Sequence, residues 1–201
     1  MELYIVRHGE TVWNKQWRLQ GSTDIKLSEN GIDMAKKTGY GMKNIDFKVA
    51  YSSPLSRAYD TARIIVGDRN IDIIKDNRIR EISFGDYEGK TYDELENMGT
   101  DFKYFFDRPE IFKADKNGES LKSIIYRAGL FLEDIIKKYG ETDSKILIVA
   151  HGAINKAIMT NIKKSEIKDF WSGGLQKNCN TIIVAYKNGQ FNILNEGKIF
   201  Y

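Results

Sequence analysis

Two histidines, His8 and His151, are the whole imidazole content of this 201-residue chain, and each ends a short apolar run. Residues 3–6 lead into Arg7, His8 and Gly9, and Lys145–Ala150 leads into His151 and Gly152. In open α/β sheets ligands bind just beyond the carboxyl ends of strands, so side chains there carry a functional prior that mid-strand residues lack. The Arg7 guanidinium presents a rigid fork matched to phosphate or carboxylate oxygens. A glycine beside each histidine lets a ligand or backbone come close. The chemistry these types suggest is an anion site with an imidazole inside it. One strand-end histidine is more often an ordinary hydrogen-bonded residue than a catalyst. Two at corresponding strand ends, in a chain with no others, are a stronger signal.

The elements that must position these groups follow from apolar spacing. Residues 3–6, 49–51 and 145–150 read as buried strands. Helical spacing follows Ser28 and Gly31, follows Pro54 along Ala58, Ala62, Ile65 and Val66, and runs through 119–139 and 153–162. Residues 181–186 and 191–196, separated by Lys187, Asn188, Gly189 and Gln190, predict a hairpin. This alternation predicts a three-layer α/β/α sandwich with a mostly parallel central sheet. Residues 84–117 break the alternation and are rich in aromatics, including Phe84, Tyr87, Tyr92, Phe102, Phe105 and Phe106. They are expected to form a small helical cap inserted into a single domain spanning 1–201.

Composition removes several classes. The net charge of +3 comes from interspersed charges, so nothing advertises nucleic acid. Cys179 is the one cysteine, which excludes an internal disulfide and a multi-thiolate zinc site. No run approaches the ~20 apolar residues of a membrane span, and the first residues lack the pattern of a signal peptide. The expectation is a cytoplasmic protein with no membrane or nucleic-acid partner; the sequence is silent on oligomeric state.

Arg7, His8, Gly9, Glu10 and Thr11, with Trp13 and Asn14, resemble the Arg-His-Gly signature of the histidine phosphatase superfamily, which includes the cofactor-dependent phosphoglycerate mutases. Further blocks resemble the family in order: Gln20, Gly21 and residues 24–27; Ser52, Ser53, Pro54, Leu55, Ser56, Arg57, Ala58 and Thr61; Arg80, Glu81, Phe84, Gly85, Asp86, Glu88 and Gly89; Gly118, Glu119 and Ser120; and Val149, Ala150, His151 and Gly152. The matches span most of the chain.

The resemblance implies that His8 is the nucleophile and takes a phosphoryl group onto a ring nitrogen. An imidazole with a pKa near ~6.5 is largely neutral and nucleophilic at pH 7. Its other nitrogen must donate a hydrogen bond, most simply to a backbone carbonyl, to keep the attacking lone pair free. The resemblance also implies that Arg7, Arg57 and His151 surround the phosphoryl oxygens, with Asn14 as a further donor and Gln20 and Gly21 at the phosphate site. Glu81 matches the general acid and base, a role that needs the carboxyl protonated when the leaving oxygen departs. No metal and no cofactor are expected.

Within the family the segment after Glu81 discriminates. Mutases carry a longer insertion with added basic residues for a second anionic group. Here residues 84–117 hold nine acidic side chains (Asp86, Glu88, Asp93, Glu94, Glu96, Asp101, Asp107, Glu110, Asp115) against five basic (Lys90, Lys103, Arg108, Lys113, Lys116). Repulsion of a second anion is expected to disfavour a mutase. It favours a phosphomonoesterase that hydrolyses a small phosphorylated metabolite whose leaving group is weakly charged and fits an aromatic pocket, resembling the broad-specificity and α-ribazole-phosphate phosphatases. The competing readings are a phosphoglycerate mutase and a catalytically silent phospholigand-binding module. Two decoys are weaker. Gly85–Thr91 has one residue too few between its glycines for a phosphate-binding loop. A zinc site on the two histidines would be opposed by the neighbouring arginines. Cys179 reads as a packed thiol.

Overall fold

The computed structural model describes residues 1–200. In chain order the elements are β1 (Glu2–Arg7), α1 (Val12–Lys15), α2 (Glu29–Gly41), β2 (Phe47–Ser52), α3 (Ser56–Val66), β3 (Ile73–Lys75), α4 (Tyr92–Asn97), α5 (Tyr104–Asp107), α6 (Leu121–Tyr139), β4 (Lys145–Ala150), α7 (Gly152–Lys163), β5 (Thr181–Lys187) and β6 (Gln190–Lys198). A six-stranded sheet has the order β3-β2-β4-β1-β5-β6. The first four strands in that order pair in parallel, and β5 and β6 are antiparallel additions at one edge. The architecture is the expected α/β/α sandwich. Among the described residues no helix is long and apolar enough to cross a membrane.

Alternation along the central strands builds two cores. Leu3 and Ile5 of β1, with Ile146, Ile148 and Ala150 of β4, face the core covered by α6 and α7. Tyr4, Val6, Leu147 and Val149 point the other way, toward Ala58, Ala62, Ile65 and Val66 of α3, on which α2 packs. Because β1 and β4 are buried on both faces, they read as unbroken apolar runs. Phe131 of α6 is fully buried against Tyr51 of β2, with ring centroids 5.6 Å apart. Truncating such a ring to alanine costs about 3–5 kcal/mol.

Several boundaries differ from the sequence expectation for local reasons. Helix α6 begins at Leu121, because the Ser120 hydroxyl caps it by accepting from the Ser123 N–H at 3.2 Å, and Glu119 turns back to pair with Arg127. Pro54 precedes α3 instead of opening it. The hairpin turn is a tight Asn188-Gly189 pair, both at positive φ, so β5 and β6 extend through Lys187 and from Gln190. Strand β3 has no sequence signal; its three residues, pattern-poor on their own, are defined by parallel pairing to β2. The aromatic segment after Phe84 carries α4, α5 and short 3-10 turns, and its rings cluster on Phe102 and Phe105.

Candidate active site

Strands β1 and β4 lie side by side in parallel, so their carboxyl ends bring His8 and His151 together. The ring centroids are 5.1 Å apart. The backbone there is fixed from both sides. The His8 N–H bonds to the Ala150 carbonyl at 3.0 Å, and the Cys179 N–H bonds to the Arg7 carbonyl at 2.9 Å. Gly9 is obligatory by packing, since a Cβ there would stand 2.5 Å from the Gly31 carbonyl oxygen at the start of α2.

His8 is almost wholly buried, and its Nδ1 lies 2.7 Å from the Gly9 carbonyl oxygen. A carbonyl only accepts, so Nδ1 carries the proton and Nε2 keeps its lone pair. Burial, and then the Arg57 and Arg7 charges, hold this imidazole well below its usual pKa and therefore neutral. His151 is fully buried and depressed in the same way, first by burial and then by Arg57, His8 and Arg7. Its Nε2 is 2.7 Å from the Ser53 hydroxyl.

Two guanidiniums complete the cationic wall. Arg7 is anchored by donating to the Gln176 carbonyl at 2.6 Å. Arg57, fully buried at the start of α3, donates to the Thr23 and Gly21 carbonyls, each at 2.7 Å. Burial lowers the Arg57 pKa to about 10, which still leaves it charged at neutral pH. Among the described residues, Arg7 Nε, Arg57 Nε and His151 Nδ1 are buried and have no hydrogen-bond partner. Buried polar atoms are nearly always satisfied, so such a group of orphans, two of them guanidinium N–H donors, marks a place built for a ligand rich in oxygens.

Glu81 reaches this centre by an unexpected route. His151 occupies the N-cap position of α7, yet its side chain makes no capping bond. Glu81 caps the helix instead. Its Oε2 accepts from the Ala153 N–H at 3.1 Å, and its Oε1 accepts from the Ile154 N–H at 3.0 Å and from its own neighbour Ile82 at 3.0 Å. A Cβ on Gly152 would sit 3.7 Å from Glu81 Oε2 and 3.8 Å from Arg7 Nε, so the carboxylate and the guanidinium flank one glycine.

The remaining expected residues are also at the site, but their contacts differ. Thr11 caps α1 and Asn14 completes the capping box, its Oδ1 accepting from the Thr11 N–H at 3.1 Å, which leaves its NH2 group for the cavity it lines. The Oε1 of Gln20 accepts from the Thr11 hydroxyl at 2.9 Å. Gly21 contributes a carbonyl to Arg57 at a φ of +53°, where a Cβ would collide with Glu88.

Two positioning groups could not be assigned from sequence. Glu88 accepts from the backbone and hydroxyls of Ser22 and Thr23 and from the Phe84 N–H, fixing the loop whose carbonyls hold Arg57. Burial alone would raise this carboxyl, but the hydrogen bonds from Thr23, Ser22 and Phe84 outweigh it and lower its pKa. Arg127 of α6 donates to the carbonyls of Arg78, Arg80 and Glu81, and it is itself gripped by the Glu119 carboxylate, with Nε and Nη2 each at 2.8 Å. Glu119 and Glu88 stand in matching motif blocks; Arg127 carries no local signal.

His8, Arg7, Arg57 and Glu81 open into a cavity of about 550 Å³ whose outer wall is aromatic: Phe84, Tyr92, Phe105, Phe106 and Trp171. None of the nine acidic side chains of residues 84–117 lines it, and among the described residues its only carboxylates are Glu10 and Glu81. Lys15, Arg18 and Lys177 stand on its wall as well, Lys15 4.0 Å from the Glu10 carboxylate and Arg18 paired with Glu94 at 3.4 Å. The acidic charge of that segment thus stands behind the cavity lining, where Glu94 touches it through this ion pair with Arg18. A hollow of about 580 Å³ beyond Leu175 and Lys177 holds no imidazole and no guanidinium.

Comparison with known proteins agrees with this geometry. The profile of the histidine phosphatase superfamily (branch 1) matches residues 3–197. Phosphoserine phosphatase 1 of Hydrogenobacter thermophilus is 34% identical over 175 residues, covering 87% of this chain and 82% of that protein. A phosphoglycerate mutase of Schizosaccharomyces pombe is 33% identical over 171 residues, covering 80% and 79%. Among solved structures, YhfR of Bacillus stearothermophilus superposes with a TM-score of 0.92 at 34% identity, covering 98% of this chain and 97% of that one. A mutant phosphoserine phosphatase of Entamoeba histolytica in complex with phosphoserine gives a TM-score of 0.85 at 31% identity, covering 98% and 97%. With its two neutral imidazoles set among buried arginines at the strand ends, the chain belongs to the histidine phosphatase superfamily, branch 1.

Proposed function

We propose that this protein is a metal-independent phosphomonoesterase that works through a phosphohistidine on His8. The observation that carries this is the pair of unpartnered buried N–H groups, on Arg7 and Arg57, and the unpartnered Nδ1 of His151, beside an imidazole whose own Nδ1 is already committed to Gly9. In the first step Nε2 of His8 attacks phosphorus, the P–N bond forms and the ester P–O bond breaks. Glu81 gives its proton to the departing oxygen. In the second step Glu81 takes a proton from water as the water attacks, the P–N bond breaks and inorganic phosphate leaves. Negative charge spread over the phosphoryl oxygens meets the fixed donors of Arg7, Arg57 and His151, with no reorganisation needed as the reaction proceeds.

The leaving group would lie against the aromatic wall, within reach of Lys15, Arg18 and Lys177. Small phosphorylated metabolites whose leaving group bears a carboxylate suit these surroundings, and phosphoserine is the first to test given the relatives above. A mutase reading shares the same core residues. Assay with 3-phosphoglycerate separates the two: release of inorganic phosphate supports the hydrolase, and accumulation of the 2-isomer refutes it. Rapid quench of a labelled substrate should trap an acid-labile, base-stable adduct that is absent from His8→Ala. Failure to trap it in the unaltered protein, under conditions of turnover, sinks the phosphohistidine mechanism.

A further inference from the structure

We propose that the buried hydroxyl of Ser53 sets the tautomer of His151, making the ring present an Nδ1–H to the phosphoryl group; this rests on the phosphoryl-transfer reading above. Ser53 and His151 are both fully buried, 98 residues apart in sequence, and joined by a 2.7 Å contact between Oγ and Nε2. The Ser53 backbone is immobilised: its N–H bonds to the Val149 carbonyl at 3.0 Å, and its carbonyl accepts from the Ser52 hydroxyl at 2.8 Å.

The direction of the 2.7 Å bond follows from counting protons. Ser53 Oγ already accepts from the Leu55 N–H at 3.3 Å. Its single proton then has one acceptor on hand, the lone pair of His151 Nε2. In the reverse arrangement Nε2–H would donate to Oγ, and the serine proton would be left without an acceptor inside the protein, at a cost typical of a buried unsatisfied group. The reverse arrangement would also turn a bare Nδ1 lone pair toward phosphoryl oxygens, which repel it. A neutral imidazole holds one N–H, so an accepting Nε2 requires the proton on Nδ1. Nδ1 is a buried atom with no partner among the described residues, as are Arg7 Nε and Arg57 Nε beside it. Ser53 is thus a positioning residue that acts through His151, in the way that a second group fixes a catalytic imidazole elsewhere.

The two-histidine sequence allows a direct test. In protein labelled with [15N]histidine, long-range 1H–15N correlation reports four ring nitrogens, and His8→Ala leaves those of His151 alone. The expected spectrum has Nδ1 protonated and Nε2 bare, with the Nδ1 signal moving on addition of orthovanadate. Ser53→Ala should shift the proton toward Nε2 and lower kcat about 10²-fold, the scale of losing one donor to a transition state. Ser53→Thr, which keeps the hydroxyl, should restore both. Ser53→Cys offers a near-isosteric weak donor should the alanine variant fold poorly.

A protonated Nε2 in the unaltered protein overturns the proposal and leaves the phosphohistidine reading intact. An unchanged tautomer in Ser53→Ala overturns it too, as does a displaced proton with unchanged kcat. The absence of a His8 adduct would instead sink the mechanism, whatever the tautomer.

Discussion

Between pH 7 and pH 5 the folded state should lose stability through its two histidines. Both imidazoles are buried, and both are held well below their usual pKa, by burial first and then by the Arg57 and Arg7 charges. The unfolded chain takes up a proton on each near pH ~6.5, while the folded chain resists. A group whose folded pKa is depressed lends stability that is complete above its unfolded value and fades as pH falls below it. Each histidine contributes about 1.4 kcal/mol per pH unit well below pH 6.5, so the pair removes up to about 4 kcal/mol by pH 5. That is a large share of the ~5–15 kcal/mol of a typical domain. No other histidine exists to blur the effect, and the depressed carboxyls of Asp76, Glu88 and Glu119 have usual values of 3.8–4.5, below this window. Urea unfolding followed by circular dichroism at pH 7, 6 and 5, in buffers free of phosphate, measures the slope. His8→Asn and His151→Asn should each roughly halve it. A flat profile, or a slope untouched by either substitution, would refute the placement of these rings as neutral groups among fixed cations.

Three further outcomes are expected. Glu81→Gln should slow alkyl phosphates about 10²–10⁴-fold and aryl phosphates, whose leaving groups need less protonation, far less; equal slowing in steady-state assays would count against the acid role. Arg127→Met releases the carbonyls of Arg78, Arg80 and Glu81 and strands the mostly buried Glu119 carboxylate. It should cost on the order of 3 kcal/mol in chemical unfolding and lower kcat more than it raises KM. Glu88→Gln should weaken the loop that holds Arg57. Because the Glu88 pKa is depressed, its stabilisation is present above about pH 4.5 and lost below it, so the variant's deficit should be largest at neutral pH and shrink on acidification. A deficit that grows in acid would contradict the assignment.

What could be read from sequence was whatever a few adjacent residues carry. Arg7-His8-Gly9 and His151-Gly152 announce themselves because a strand end, a charge and a glycine fall next to one another, and the order of the motif blocks supplied Arg57 and Glu81. Relations across the chain could not be read this way. Nothing local links Ser53 to His151 or places Arg127 beneath Glu81. Cys179 was recognisable as a packed thiol, and burial raises its pKa to about 12. Its left-handed backbone, which delivers an N–H to the Arg7 carbonyl, was not. The charge tally of residues 84–117 carries no direction: the segment lines the cavity with aromatic rings, and of its carboxylates Glu94 meets the wall through Arg18.

The first turn of α7 joins two parts of the centre that the chain supplies from distant places. Its N-cap residue is His151, and its second and third amides hold Glu81. Any drift of this helix carries imidazole and carboxylate along as one piece, so their mutual spacing survives small motions that would detune a pair mounted on separate loops. Damage from substitutions far down α7 should therefore register as misalignment of that piece against His8 on β1, with Glu81 and His151 lost or regained in step.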